Sequence, residues 1–282
     1  MDTSESIISL FMNEASSSVL GNQTSSPWGR LGGDSRLAII MGASSGMGRL
    51  VAERLLRDGW KVGVAARRVD SLKTIGQGNH AMPDGSDNLP TVAQIDVTAP
   101  DADKKLHELI EKLGGLDLYF HSSGIGKVNM ELRADYELNT VNTNALGFTR
   151  MVGEAFRYMA AHGGGHIAVI SSIAGVKGLG PAPSYSATKA FDNTYIQALE
   201  QLANTRKLNI RFTDIRPGFV DTALIRGSHF PLTMKPDDVA DAIVSAIYHK
   251  KHIKIIDWKW RVIVALWRRL PRWIWRIMPL KA

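Results

Sequence analysis

The chain has 282 residues, 44% of them hydrophobic and 22% charged, which fits one large globular domain or two small ones. It has no cysteine, which excludes disulfides, thiolate catalysis and cysteine-based zinc sites. Of the net charge of +7, the ten lysines and arginines after His249, opposed there only by Asp257, carry +9 and the rest of the chain sums to −2, so the body has no basic footprint and no nucleic-acid partner is expected.

Residues 1–35 are rich in serine, glycine and asparagine and read as a flexible N-terminal extension. They have no basic start and no long apolar run, which predicts no secretory signal. The folded body begins at Arg36. Residues 36–41 (RLAIIM) are a short apolar run, the pattern of a buried strand. Gly42-Ala43-Ser44-Ser45-Gly46-Met47-Gly48 follows, then a helical pattern through Leu50, Val51, Leu55 and Leu56. Strand, glycine turn and helix make the context of a dinucleotide-phosphate cradle. Gly42 would allow the turn, Gly46 would let a pyrophosphate approach the backbone, and Gly48 would let the helix sit close. A plain strand-to-helix turn is the alternative.

A second strand over residues 61–66 ends at Arg67-Arg68. An acid about 20 residues past the glycines would bind a ribose 2′-hydroxyl. Guanidinium groups suit a 2′-phosphate instead. NADP(H) is therefore favoured, with NAD(H) possible; an ordinary solvated pair is the other reading. Residues 76–90 form a turn-rich loop, and 91–95 a third strand ending at Asp96-Val97. An amphipathic helix over 101–113 and a strand over 116–120 follow. His121 then reads as a structural histidine closing the strand, with a catalytic acid as the alternative.

Residues 136–161 predict one long helix carrying Asn139, Asn142 and Asn144. Buried amides need partners, so at least one of the three has a hydrogen-bonding role. A strand over 166–170 runs into Ser171-Ser172. A helix over 183–204, a strand over 209–215 and a break at Pro217-Gly218 come next. Residues 222–235 read as a substrate lid. A helix from Pro236 to about His249 and a last strand over 254–258 complete the body. The alternation predicts an α/β fold, a single Rossmann-type domain with a doubly wound parallel sheet over 36–257. The glycine turn, Arg67, Asp96, His121, Ser172 and Pro217 all follow strands, so they share the rim where such sheets bind ligands. Tyr185 and Lys189, four apart, share one helix face. A nearby ammonium favours the phenolate, which suits proton transfer at an alcohol or carbonyl oxygen. The same spacing also occurs on solvated helix faces.

In combination these motifs resemble the short-chain dehydrogenase/reductase family over residues 36–257. The family's T-G-x-x-x-G-x-G turn corresponds to Met41 through Gly48, with Met41 replacing the threonine. Its Tyr-x-x-x-Lys matches Tyr185 and Lys189. Its serine thirteen residues before the tyrosine matches Ser172, and its helix asparagine matches Asn144. The adenine-contacting acid matches Asp96, beside Val97. Ser123 and Gly124 fall in the adenosine pocket, where His121-Ser122-Ser123-Gly124 replaces the common Asn-Asn-Ala-Gly. Pro217, Gly218, Val220 and Thr222 match the segment along the nicotinamide. The resemblance implies hydride transfer between NADP(H) and a carbonyl or secondary alcohol. It implies Tyr185 as general acid/base, Ser172 holding the oxygen, Lys189 holding the nicotinamide ribose and Asn144 ordering a water. It also implies a homodimer or homotetramer paired through the two long helices. A non-catalytic redox sensor or membrane scaffold is the rival reading.

Residues 258–282 form a basic, tryptophan-rich tail with five of the seven tryptophans. On a helical wheel Arg261, Arg268, Arg272 and Arg276 cluster on one side. Ile263, Leu266, Trp267, Leu270, Ile274 and Ile277 lie opposite. Pro271 would kink or split the helix. The longest uncharged run, 262–267, is far short of the ~20 residues that span a bilayer. The pattern suits an anionic membrane interface, and packing on the protein's own body or a second subunit is the alternative. Membrane contact would favour a lipophilic substrate, such as a long-chain keto lipid or sterol-like ketone. It would place the protein in the cytoplasm, peripheral at the inner face of a membrane.

Overall fold

The computed structural model describes residues 36–77, 88–222 and 232–280. The expected extension over 1–35, and most of the 76–90 loop and of the 222–235 lid, lie outside the described residues.

Seven strands form one parallel sheet: β1 (Leu37–Met41), β2 (Lys61–Ala66), β3 (Thr91–Gln94), β4 (Leu118–His121), β5 (Gly165–Ile170), β6 (Ile210–Arg216) and β7 (Ile253–Ile255). Their order is β3-β2-β1-β4-β5-β6-β7. The winding reverses between β1 and β4, which opens a crevice at their carboxyl ends. The central strands are continuous apolar runs because helices cover both faces. Helices α1 (Gly46–Arg57), α2 (Val69–Lys73), α3 (Ala102–Leu113), α4 (Ala134–Val141), α5 (Phe148–Ala161), α6 (Pro183–Thr205) and α7 (Pro236–Tyr248) supply that cover. On one face Leu106, Phe148, Val152, Ile196 and Leu199 pack with Ile39, Tyr119 and Ile167 of the sheet. On the other face α1 meets α7, where Arg54 bonds Asp237 and Asp241.

The doubly wound parallel sheet expected from the sequence is present, with three local differences. First, the helix expected over 136–161 is broken. A π-helical stretch, Asn142–Gly147, separates α4 from α5. The wide turn lets Asn144 reach the backbone of Ile125 and brings Gly147 against Val97. Second, the last strand stops at Ile255. Asp257 turns the chain at φ +69, and its carboxylate accepts the Lys259 N–H. Helix α8 (Trp258–Arg269) therefore begins where strand was expected.

Third, the tail buries a face that only partly matches the one the wheel assigns: Ile263, Trp267, Leu270 and Ile274 are partly buried. Pro271 does split it, into α8 and α9 (Arg272–Ile277). The buried residues are Trp260 and Val264, packed on Ile173, with Ile263 and Trp267 beside them. Leu266 and Ile277, expected on the apolar face, are 60% and 75% exposed. Two helices split at Pro271 cannot share one wheel. The four arginines of the expected basic side are all exposed.

Candidate active site

The site is assembled from loops at the carboxyl ends of the strands. After β1, Gly42 adopts φ +87, and its N–H donates to the Ala65 carbonyl at 2.8 Å. A Cβ at Gly42 would meet the Ser123 nitrogen at 2.7 Å, so the turn lies directly on the loop after β4. A Cβ at Gly48 would meet the Gly42 carbonyl oxygen at 2.4 Å, which presses the start of α1 onto the turn. Gly46 is the contrast: its Cβ would meet nothing within 4 Å. Ser45 precedes α1 without capping it by its side chain, and it is exposed. Ser44 is partly exposed, and Met47 is buried. An exposed Ser45 hydroxyl and backbone N–H groups at a helix N-terminus, beside an open glycine, fit a diphosphate.

Arg67 and Arg68 stand exposed after β2, with Arg68 Nη2 3.5 Å from Ser44 Oγ. After β3, Asp96 accepts the Thr98 N–H at 3.0 Å and the Thr98 hydroxyl at 2.8 Å. Burial opposes its charge, but these bonds and the Arg67 charge hold the carboxyl below its ordinary range. Val97 is buried next to Gly147. A cofactor carrying a ribose phosphate would meet two guanidinium groups here.

After β4, His121 is buried and pairs through Nδ1 with the Tyr119 hydroxyl at 2.9 Å. Burial, and next the Lys189 charge, push its pKa down to about 3. It is neutral at ordinary pH and serves as a structural histidine. Ser122 and Ser123 are partly exposed and Gly124 is exposed.

Three of the four expected catalytic side chains gather on the loop over residues 124–126. Asn144 is buried, whereas Asn139 and Asn142 are exposed. Its Oδ1 accepts the Ile125 N–H at 2.8 Å, and its Nδ2 donates to the Ile125 carbonyl at 2.7 Å and Thr188 Oγ1 at 3.2 Å. A Cβ at Gly124 would lie 3.5 Å from Asn144 Oδ1 and 3.7 Å from Lys189 Nζ. Tyr185, partly exposed, lays its ring on Gly126, where a Cβ would meet ring carbon Cδ2 at 2.6 Å. Lys189 Nζ lies 6.0 Å from the Tyr185 ring centroid. The fourth side chain, Ser172, is buried after β5 and starts the 3-10 turn Ile173–Val176, its Oγ accepting the Ala174 N–H at 3.0 Å. The Ile173 N–H donates to the Pro217 carbonyl at 3.2 Å, which ties Ser172 to the segment after β6. There Pro217 and Val220 are buried, while Gly218 and Thr222 are partly exposed.

Behind this set lies a group of charges absent from the expected residues. Lys189 Nζ donates to Asp192 Oδ2 at 2.9 Å and to the Ile170 carbonyl at 3.0 Å. Asp214 accepts from Ser171 Oγ and, at 2.8 Å, from Arg216 Nε. Burial opposes the Lys189 charge, but Asp192, Tyr185 and Asp214 outweigh it and raise the pKa above the ordinary lysine value. Asp192 was legible from spacing alone, being seven residues from Tyr185 on the same helix face. Asp214 and Arg216, within an apolar strand, carry no such signal. A shallow cavity of about 340 Å³ lined by Gly178, Gly180, Pro183, Ala187 and Ala190 lies on the neighbouring face of α6, away from Tyr185 and Lys189. Among the described residues no cluster of side chains could hold a metal ion.

A parallel sheet with this crevice, a glycine turn at one end of it and a Tyr–Lys–Asn group at the other defines a nicotinamide-dependent oxidoreductase. The sequence pattern described as short chain dehydrogenase matches residues 36–229, and the chain belongs to that family. An uncharacterized oxidoreductase of Myxococcus xanthus is 31% identical over 84% of this chain and 93% of its own length. An uncharacterized oxidoreductase of Staphylococcus aureus is 30% identical over 78% of this chain and 94% of its own. The fold is also that of a short-chain dehydrogenase from Sphingobium yanoikuyae solved in complex with NADPH. That structure is 20% identical, with a TM-score of 0.70 over 84% of this chain and 97% of the other. An alcohol dehydrogenase from Thermococcus sibiricus complexed with 5-hydroxy-NADP is 24% identical, with a TM-score of 0.66 over 79% of this chain and 95% of the other.

Proposed function

We propose that the protein is an NADP(H)-dependent reductase of a lipophilic ketone, with Tyr185 as the proton donor. The observation that carries the reading is the meeting of Lys189 and Asn144 at Gly124 with Tyr185 at Gly126, across the crevice from an open glycine turn flanked by two exposed arginines. The solved relatives bound to NADPH and 5-hydroxy-NADP support the choice of cofactor. Bound NADPH supplies the hydride for the carbonyl carbon. Tyr185 hands its phenolic proton to the carbonyl oxygen as the C–O double bond becomes single. Ser172 donates a hydrogen bond to the same oxygen and steadies the developing charge. Lys189 favours the phenolate that remains and returns a proton toward it. Gly46, Ser44 and Ser45 hold the diphosphate, and Arg67 and Arg68 the ribose phosphate. Asp96, Val97, Ser123 and Gly124 line the adenosine side, and Pro217, Gly218, Val220 and Thr222 the nicotinamide side. In oxidation the same groups run in reverse.

The lipophilic substrate follows from the tail. Its outward face carries Trp258, Val262 and Leu266 in one stripe, then Trp273 and Ile277, all more than half exposed. Exposed Lys259, Arg261, Arg268, Arg269, Arg272 and Arg276 border them. No described helix is long and apolar enough to cross a membrane. An anionic membrane surface fits this face, with the helices lying in the interface plane. Exposed Leu138, Leu146, Phe191 and Leu202 on and between α4, α5 and α6 fit pairing of two copies.

NADPH oxidation against short ketones, steroid ketones and micellar 3-keto lipids tests the reading, with NADH in parallel. Turnover of the lipophilic members, lost in Tyr185→Phe with NADPH binding retained, is expected. NADPH binding without turnover of any carbonyl would move the assignment to a redox sensor. Flotation with phosphatidylserine vesicles tests the tail. Binding that survives reversal of Arg268, Arg269, Arg272 and Arg276 to glutamate would exclude the membrane face.

A further inference from the structure

Helix α6 buries an acidic side chain that the catalytic reading does not use. Tyr185, Lys189 and Asp192 occupy positions i, i+4 and i+7 of that helix, so they line one face in order. Lys189 sits between the other two. Its ammonium lies 2.9 Å from Asp192 Oδ2, and both side chains are buried, at 7% and 1% exposure. The second carboxylate oxygen, Asp192 Oδ1, is buried without a hydrogen-bond partner. Such a carboxylate is expensive. A buried ion pair often gives less stability than apolar residues of the same volume, and an unsatisfied oxygen makes it worse. One turn further on, the same helix buries Ile196 and Leu199, so an apolar side chain would suit position 192 for packing. The feature that needs the charge is therefore its neighbour.

We propose that Asp192 is a positioning residue for the reaction, the counter-ion that keeps Lys189 protonated and fixes its ammonium beside Tyr185. The proposal rests on the reading of Lys189 as part of the catalytic set. A buried lysine without a partner loses its proton readily, because burial penalises the charged form. The groups facing Lys189 are few. On α6 they are Tyr185 and Asp192. From β6 comes Asp214, itself engaged by Arg216 and Ser171. From β4 comes His121, which is neutral. Asp192 alone of these bonds the ammonium directly, besides the Ile170 carbonyl. Its removal leaves the burial in place and takes away the nearest compensation. Lys189 then titrates at lower pH, and its hold on both the phenolate and a cofactor ribose weakens as pH rises.

The test compares wild type, Asp192→Asn, Asp192→Leu and Asp192→Glu. Carbon-13 NMR of lysine ε-carbons follows the Lys189 titration without needing turnover, the signal being assigned by its loss in Lys189→Arg. NADPH oxidation and NADPH fluorescence are recorded over the same pH range, with thermal melts alongside. Asn and Leu are expected to lower the Lys189 titration by at least about one pH unit. NADPH binding should fall about tenfold at the alkaline end, and Glu should restore much of both. Melts of the Leu variant should match or exceed wild type. An unmoved Lys189 titration in Asn and Leu would overturn the proposal, as would a lowered melt with an unchanged pH profile. Failure of the carbonyl panel with a shifted Lys189 titration would count against the proposed substrate and leave this pairing standing.

Discussion

Trp260 of α8 packs on Gly218 so closely that a methyl group added there would lie 2.2 Å from the indole nitrogen. Gly218 belongs to the segment proposed to run along the nicotinamide, and Trp260 belongs to the tail. The contact continues through Phe219, whose ring meets Trp260 edge-on at 5.5 Å. Gly218→Ala is expected to displace the indole and lower the melting temperature, with an overpacking cost of about 1–3 kcal/mol. Trp260→Ala should also destabilise, by roughly 3–5 kcal/mol, because it empties a buried site. A double-mutant cycle checks the link. If the two losses simply add, the contact does not couple the tail to this segment.

Cofactor choice should rest on Arg67 and Arg68. Replacing both with alanine removes charge-assisted bonds to a ribose phosphate, each worth ~1.5–3 kcal/mol. The KM for NADPH is expected to rise by roughly tenfold or more, and the KM for NADH should change little. Steady-state kinetics with both cofactors check this, and equal losses would show that the arginines only stabilise the fold.

Asn144 carries a structural task that precedes any catalytic one. Its carboxamide closes a two-way bond with the Ile125 backbone and donates to Thr188. Asn144→Ala strands a buried N–H and carbonyl, at ~1–3 kcal/mol for each group left unsatisfied. A lower melt together with slower turnover is expected. Unchanged melting with lost turnover would assign it to proton relay alone.

Two buried histidines set an acid limit on stability. His121 and His166 are both pushed to about 3, burial being the main cause and neighbouring positive charge the second. Between about pH 6.5 and pH 3 the unfolded chain binds these protons and the native chain does not. Stability is therefore full above about pH 6.5 and falls as pH drops. The slope approaches 1.4 kcal/mol per pH unit for each histidine. Urea titrations from pH 7 to pH 5 measure it. His166→Gln should flatten the slope by about half, and an unchanged slope would refute the assignment.

Spacing carried most of this site. The strand–glycine turn–helix at 36–57 and the Tyr185–Lys189 pair announce themselves through local rules, because each works within one turn or one strand end, whereas Ser172 is singled out by the family resemblance. Asn144 was legible as a residue, but the π-helical stretch that aims it was not, since it depends on contacts with Ile125 and Val97 far away in sequence. The tail failed for a related reason. A wheel assumes one straight helix facing one partner, whereas Asp257 starts the first tail helix and Pro271 ends it before a second, short one. The partners of Trp260 in the body include Ile173, Gly218 and Phe219, and nothing in residues 258–278 encodes them.

Two bonds of that tail end on the loop between Ser172 and Tyr185. Lys177 Nζ donates to the Leu270 carbonyl at 2.9 Å, and Trp275 Nε1 donates to the Gly178 carbonyl at 2.7 Å. The last turns of the chain are thus stitched to the stretch between Ser172 and Tyr185. The C-terminal helices are built into the body twice over, through Trp260 at Gly218 and Ile173 and through these two bonds, so a change near Leu270 or Trp275 reaches the loop after Ser172 first. Libraries for altered substrate scope are best built there, at the end of the chain farthest in sequence from the nucleotide turn.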